Sequence, residues 1–251
     1  MDSQFPAFID ALEQRHLADL RFSEVTRALR ALSSTYVERR QTALAANKAL
    51  DGAGKRAAFA LYYGPLHYLL IDHIVRALGP SFEPGVIVDV GCGSGVGGAA
   101  IAAATRPPAR ILAVDTHPWP LDEARFTFKS LGLNADVRRG HAAKLPFPPD
   151  TSVVVAAFVV NELNAADRQI LLDRLIRLRT DAAARRRHVL IVEPISERIS
   201  PWWTDWANLF VANGGRADTW KVPIDAPPIV TRLAKASGLR PALLTARSLF
   251  F

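Results

Sequence analysis

Between residues 86 and 102 the chain reads VIVDVGCGSGVGGAAIA: a β-branched run, a cluster of glycines and the opening of an alanine-rich helix. Glycines at such a place let the backbone turn sharply and approach a ligand closely, and the helix that follows offers free N–H groups and a partial positive charge. Two kinds of chemistry fit. Gly93, Gly95 and Gly98 have the G-x-G-x-x-G spacing that lays a dinucleotide's pyrophosphate on backbone amides. The overlapping set Asp89-Val-Gly91-Cys-Gly93-Ser-Gly95 puts a carboxylate two residues ahead of the first glycine. That carboxylate would repel two phosphates and suits a cationic ligand better. Asp115 ends the next apolar run, where it can accept bonds from both hydroxyls of a ribose and serves either cofactor. Asn161 and Glu162 follow a later run, and Glu193 ends another. The bland alternative, a strand-ending turn that binds nothing, has to explain three glycines and two strand-end carboxylates in one order.

These residues need a frame that brings strand ends together. From residue 86 onward, short β-branched runs alternate with helical segments. VIVDV (86–90), ILAVD (111–115), ADVRR (135–139), VVVAAF (153–158) and HVLIVE (188–193) read as buried strands. Helices are expected over about 95–105, from Pro118 with Ala124, Phe128 and Leu131 inward, and after Asn164 as a cap, carrying Ile170, Leu171, Leu175 and Leu178. The expected fold class is α/β: a doubly wound, mostly parallel, Rossmann-like sheet with an N-terminal helical extension. In such a sheet ligands bind beyond the carboxyl ends of the strands. Residues 89–95, 115–117, 140–142 and 158–162 and Glu193 should therefore meet at one crevice.

Residues 5–80 carry helical periodicity instead. Phe22, Val25, Leu29, Leu32 and Tyr36 share a face, Asp51-Gly-Ala-Gly54 breaks the pattern, and Gly64-Pro65 breaks it again before a helix with Leu66, Leu70, Ile74 and Leu78. The chain divides, on this reading, into a helical extension or cap (1–80) and a Rossmann-like cofactor-binding domain (81–251). Beyond 194, PWWTDWANLFVANGG and APPIVTRLAKASG read as helices and RPALLTARSLFF as a last strand, after which no further strand remains to complete a terminal hairpin.

At 251 residues, 49% hydrophobic and 22% charged, the chain can bury a sizeable core. No stretch approaches the roughly 20 apolar residues of a bilayer span, and MDSQFPAFIDALEQRH lacks the basic start and apolar run of a signal peptide. A cytoplasmic protein is expected, and the single cysteine, Cys92, excludes an internal disulfide or a multi-cysteine cluster. The charge of +7 permits an RNA partner without demanding one. Its densest cluster is Arg174, Arg177, Arg179, Arg185, Arg186 and Arg187, which as a charge run is more often a solvated face.

The ordered segments VDVGCGSG, AVDTHP and AKLPFPPDTSVVVAAFVVNEL resemble the successive motifs of class I S-adenosylmethionine-dependent methyltransferases over about residues 84–194. The resemblance implies that Gly91, Gly93 and Gly95 approach the methionine part of S-adenosylmethionine, with Asp89 near its ammonium. It also implies that Asp115 holds the ribose and that Thr116 and Ala142 lie near the adenine. Phe158 belongs to the same cofactor-facing set. Gly140-His141 stands where many relatives carry an acid, so His141 takes over an adenine contact or merely fills the loop. The N/D-P-P-Y motif of adenine and glutamine amino-methylating enzymes is absent from AAFVVNEL. More distantly, LSSTYVERR, AAFALYYGPLHYLL, FVVNEL and VLIVEP resemble methyltransferase-like proteins of the small ribosomal subunit, which would make rRNA or a ribosomal particle the partner.

The function expected is methyl transfer to an unidentified acceptor, with no metal. His67, His117, His141 and Glu193 are possible bases, and none is singled out by spacing. Two alternatives stand beside it: a non-catalytic ribosome-assembly module that binds RNA through the arginines, and a nicotinamide-dependent dehydrogenase using Gly93, Gly95 and Gly98. Trp202, Trp203, Trp206 and Trp220, like Tyr62, Tyr63 and His67, read as packing first and as substrate contacts second. Glu162 reads equally as a site acid or a solvated one.

Overall fold

The computed structural model describes residues 3–38, 50–79, 82, 85–105, 109–180 and 187–251. Helices α1 (Phe5–Leu17) and α2 (Phe22–Glu38) come first. Then α3 (Ala53–Ala58), a π turn (Phe59–Tyr63) and α4 (Gly64–Leu78) run on without interruption. The alternating part follows: β1 (Val86–Val90), α5 (Val96–Ala104), β2 (Arg110–Asp115), α6 (Pro118–Ser130), β3 (Ala135–Arg139), β4 (Thr151–Ala157), α7 (Ala165–Thr180) and β5 (His188–Glu193). The chain closes with α8 (Trp203–Ala212), β6 (Arg216–Pro223), α9 (Pro228–Ser237) and β7 (Leu243–Phe250).

The seven strands lie in the order β3-β2-β1-β4-β5-β7-β6. β1 to β5 are parallel, whereas β7 enters antiparallel between β5 and β6. Strand period decides which face each side chain takes. Ile87, Ile111, Val153, Val155 and Val192 join the core under the N-terminal helices and α5, α6 and α9. Their neighbours Val86, Val88, Val90, Val154 and Ile191 join the opposite core under α7 and α8. Covered on both faces, these strands can be apolar throughout, which is why they stand out in the sequence.

Three expectations need correcting. Gly64-Pro65 is no break: Pro65 has no N–H to give to Leu61, and the Gly64 N–H reaches back to the Phe59 carbonyl, so the helix widens by one π turn and continues. The terminal hairpin is complete, because residues 216–223 form the missing strand β6, paired with β7 along its whole length. Its sequence hid it: Arg216, Ala217, Thr219, Lys221 and Pro223 are exposed on an edge strand and only Val222 is fully inward. Ile170 stays outside at 46% exposure, while Leu171, Leu175 and Leu178 of α7 are buried. Elsewhere the expected chemistry appears: Asn164 Oδ1 accepts the Asp167 N–H at 2.9 Å and caps α7.

Val25, Leu29 and Leu32 of α2 are fully buried; the Tyr36 side chain lies outside the described residues. α1 is tied to α6 by Glu123, a fully buried carboxylate that meets His16 Nε2 at 2.8 Å and Arg15 Nε at 3.5 Å. The N-terminal helices thus share one core with the sheet. Among the described residues no helix is long and apolar enough to cross a membrane.

Candidate functional site

The loop after β1 has Gly91, Gly93 and Gly95 at φ of +64°, +52° and +80°, a left-handed path open to glycine at little cost. The three do different work. A Cβ on Gly91 would come within 2.2 Å of Val159, and one on Gly95 within 2.8 Å of Phe128, so both are small to let the loop pack. Around Gly93 a Cβ would meet nothing within 4 Å, so this glycine faces open space in the cavity. The Gly93 N–H donates to Asp115 Oδ2 at 3.1 Å, and Asp115 Oδ1 accepts the His117 N–H at 2.9 Å. One carboxylate therefore holds the loops of β1 and β2 together at their carboxyl ends.

Gly98, the last residue of the dinucleotide-like spacing, is spent within the protein. Its N–H donates to Asp89 Oδ2 at 2.8 Å, and a Cβ there would sit 2.8 Å from the same oxygen. A phosphate at this helix end would have to displace an internal carboxylate. Burial, opposed by the Gly98 bond and reinforced by Asp115, pushes Asp89 up to about 7.

These residues line a cavity of about 620 Å³, within the usual range for a small-molecule site. Its floor is formed by strand ends: Asp89 and residues 91–94 after β1, residues 115–117 after β2, residues 157–159 after β4, and Glu193 after β5. The roof comes from the N-terminal helices through Phe59, Tyr62, Tyr63, Leu66 and His67. The His67 ring stacks on Phe158 at 4.2 Å between centroids. Phe158 is the only non-glycine described residue with positive φ, +61°, a costly conformation that lies just where β4 delivers the chain to the site.

The cavity is acidic. Asp89, Asp115, Glu162 and Glu193 all line it, against Arg240 among lysines and arginines. Glu193 is fully buried, accepts the backbone N–H groups of Val160 at 2.8 Å and Asn161 at 3.3 Å, and takes the Asn161 amide at 2.6 Å. Burial, helped by Glu162, nevertheless lifts it to about 8 against those bonds and Arg247. Glu162 projects into the cavity, its surface open there while protein surrounds it, and desolvation with the Asp115 charge lifts it to about 7.

Of the residues expected at the site, Asp89, Gly91, Gly93, Asp115, Thr116 and Phe158 line the cavity, and so do Asn161, Glu162, Glu193, His67 and His117. Gly95 shapes the loop from behind. His141 and Ala142 are not among the lining residues: His141 Nδ1 accepts the Ala143 N–H at 3.3 Å and its Nε2 lies 3.7 Å from Asp167, while Ala142 is buried. Their turn joins the site through the Gly140 N–H, which donates to the Asp115 carbonyl at 3.0 Å, and through Arg139, which donates to the Thr116 carbonyl at 3.1 Å.

Trp202, Trp203 and Trp206 pack in the core beneath α8, and Trp202 acts at one remove, its indole N–H donating to Asn161 Oδ1 at 2.9 Å. Trp220 lies on β6 and donates to Ser248. Tyr62, Tyr63 and His67, expected first as packing, form the roof. Cys92 is buried, and burial beside Asp89 and Asp115 holds its thiol well above the ordinary range, a poor nucleophile. Trp119 and the walls 194–199 and 239–245 were missed; Trp119 lies in the first turn of α6, residues 243–245 open β7 and the others are irregular, so only their place around strand ends could have flagged them.

Among the described residues of the arginine cluster, Arg177 is exposed, whereas Arg174, Arg179 and Arg187 brace the protein internally. Arg174 donates to the carbonyls of Ala142 and Ala143 at 3.2 and 3.0 Å, Arg179 lies over the Phe251 ring, and Arg187 donates to the Pro149 carbonyl. Arg185 and Arg186 lie outside the described residues.

An antiparallel strand set between the fifth and sixth positions departs from the 3-2-1-4-5-6 order of dinucleotide-binding sheets. With the glycine loop and the acidic cavity, it favours the arrangement of Rossmann-like methyltransferases over that of a dinucleotide-dependent dehydrogenase. Residues 87–181 match the family model described as a methyltransferase domain. That match supports the class and not the ribosomal-subunit-associated group.

Among solved structures, one from Nostoc punctiforme PCC 73102, provisionally described as an O-methyltransferase, shares 17% identity at a TM-score of 0.51, covering 76% of this chain and 58% of that one. A SAM-dependent methyltransferase from Aquifex aeolicus shares 17% identity at a TM-score of 0.48, covering 74% and 91%. The magnesium protoporphyrin IX methyltransferase from Synechocystis PCC 6803, solved with bound SAM, shares 14% at 0.46, covering 74% and 78%. Such likeness is one of fold. No curated protein matches the chain.

Proposed function

We propose that this cavity binds S-adenosylmethionine across the β1 and β2 ends and presents its methyl group to an acceptor on the β4 and β5 side, under the roof of the N-terminal helices. The observation that carries the reading is the pairing of an open Gly93 with carboxylates at both strand ends: room for a ligand backbone, and negative charge for a cationic one. When bound, the cofactor supplies an electrophilic methyl carbon on a sulfonium and leaves as S-adenosylhomocysteine.

The chain contributes position and charge. Gly91, Gly93 and Gly95 fix the loop against which the methionine part lies, with Asp89 as counter-charge to its ammonium. Asp115 keeps lone pairs for the ribose hydroxyls after its two backbone bonds. Thr116, His117 and Trp119 flank the adenine end, with His141 and Ala142 shaping the turn behind it. Phe158, held by the His67 stack, closes the reacting centre and keeps water out. In this division the segment before residue 81 serves as the cap and 81–251 as the cofactor-binding domain. Cys92, the one thiol, fits a reducing compartment such as the cytoplasm.

The test is calorimetric titration with S-adenosylhomocysteine. Asp115→Ala and Asp89→Ala, each shown folded by circular dichroism, should bind at least about tenfold more weakly, the loss of one charged contact. Unchanged affinity in both folded variants would overturn the assignment.

A further inference from the structure

The half of the cavity beyond the cofactor loops has its own character. Glu162 lies on the single 3-10 turn Val160–Glu162 after β4, and among the described residues its carboxylate takes no hydrogen bond or ion pair. The nearby charges are of its own sign: Asp115 on one side, and Glu193 on the other, bound up by the Asn161 side chain and two backbone N–H groups. The carboxylate is solvent-accessible where it lines the cavity, so a cation can reach it without the protein having to open.

The surrounding wall is apolar. β7 runs antiparallel beside β5 with Arg247 opposite Glu193, so residues 243–245 extend past the β5 end and stand over the same mouth. The Arg247 guanidinium donates to the Pro194 and Ser196 carbonyls, and its charge acts on Glu193 rather than on Glu162. Ile195 and Leu243 form the rim at 40% and 52% exposure, two of the few large apolar side chains the protein leaves in solvent, with Ile199 and Leu244 deeper in. The remaining cation of the lining, Arg240, is exposed at residue 240, between Leu239 and Pro241.

We propose that this half of the cavity takes a primary or secondary amine with an apolar body, its ammonium held on the Glu162 carboxylate and its hydrocarbon part against Ile195, Ile199, Leu243 and Leu244. The proposal rests on the methyl-transfer reading above. In the transfer the ammonium gives one proton to Glu162. The freed nitrogen lone pair forms the N–C bond to the methyl carbon, and the electron pair of the breaking C–S bond stays on sulfur. Glu162 then returns its proton to solvent through the open mouth. A carboxylate-bearing acceptor would meet carboxylates of its own sign at Asp115 and Glu162, and an alcohol would gain a hydrogen bond but no ion pair. A polyanion such as RNA is opposed by the same charges that favour an amine.

The experiment uses the full chain saturated with S-adenosylhomocysteine and titrates it with n-octylamine, 1-octanol and octanoate. Octylamine should bind about tenfold or more tightly than octanol, the ratio a charge-assisted bond produces, and octanoate should not bind. Glu162→Gln should bring octylamine down to the octanol value while keeping S-adenosylhomocysteine affinity within about threefold, which also shows that it folds. Leu243→Ser should weaken octylamine and octanol alike. Equal binding of the three probes, no binding of octylamine, or octylamine affinity unchanged in Glu162→Gln would overturn the proposal. If S-adenosylhomocysteine itself fails to bind the unaltered protein, the methyl-transfer reading falls instead.

Discussion

Asp89 should cost the unliganded protein stability that it returns to the cofactor. It is 2% exposed, with one backbone N–H as partner and Asp115 nearby, and its carboxyl is raised from 3.8 to about 7. A carboxyl harder to ionise in the folded state than in the unfolded chain contributes stability that is fully present below 3.8 and lost as pH rises through about 7. At 1.36 kcal/mol per unit the loss approaches about 4 kcal/mol in the alkaline limit. Asp89→Asn keeps an oxygen for the Gly98 N–H and removes the ionisation. In urea unfolding at pH 8.5 the variant should be more stable than the wild type by about 2–4 kcal/mol, a shift of about 5–15 °C in melting temperature. The gap should narrow steadily towards pH 4. Binding should go the other way, because a cationic ligand needs the ionised form: S-adenosylhomocysteine should bind the wild type better at pH 8 than at pH 6, and the variant should lose that dependence along with affinity. A variant less stable than the wild type at pH 8.5 would refute the electrostatic reasoning.

Other expectations follow from the same contacts. Gly93→Ala has open space for its Cβ and should cost only about 1–2 kcal/mol of backbone strain yet weaken S-adenosylhomocysteine at least about tenfold, whereas Gly91→Ala, 2.2 Å from Val159, should destabilise by about 2–5 kcal/mol; chemical denaturation and titration separate the two. Glu123→Ala strips His16 and Arg15 of a buried partner and should cost about 3–5 kcal/mol, with hydrogen exchange rising first in α1. Trp202→Phe removes the bond to Asn161 and should cost about 1 kcal/mol without touching the cofactor, measured as stability against S-adenosylhomocysteine affinity.

Buried parallel strands were legible because both their faces are apolar, and the place of the cavity followed because the loops after their carboxyl ends converge there. β6 was not legible: an edge strand needs only one inward position, and RADTWKVP carries no apolar run. Gly64-Pro65 misled because proline is ordinarily a boundary, and a π turn absorbs it only when the helix on either side is already packed. Asp89 could be placed beside the glycine loop from the sequence, but its bond to Gly98 could not, since that depends on how α5 meets β1. The arginine cluster shows the limit of charge counting: Arg174 is fixed by carbonyls that come from a turn about 30 residues away. The half of the cavity beyond the cofactor loops was hardest to see, because its walls are loops and the first residues of β7, brought together by that strand's antiparallel entry.

The measurement closest to the central claim is equilibrium dialysis of the full chain against radiolabelled S-adenosylmethionine, with unlabelled S-adenosylhomocysteine or NADH as competitor. The account predicts saturable binding in the micromolar range, displaced by S-adenosylhomocysteine and indifferent to NADH. Displacement by NADH, or no retention of label at all, would contradict it.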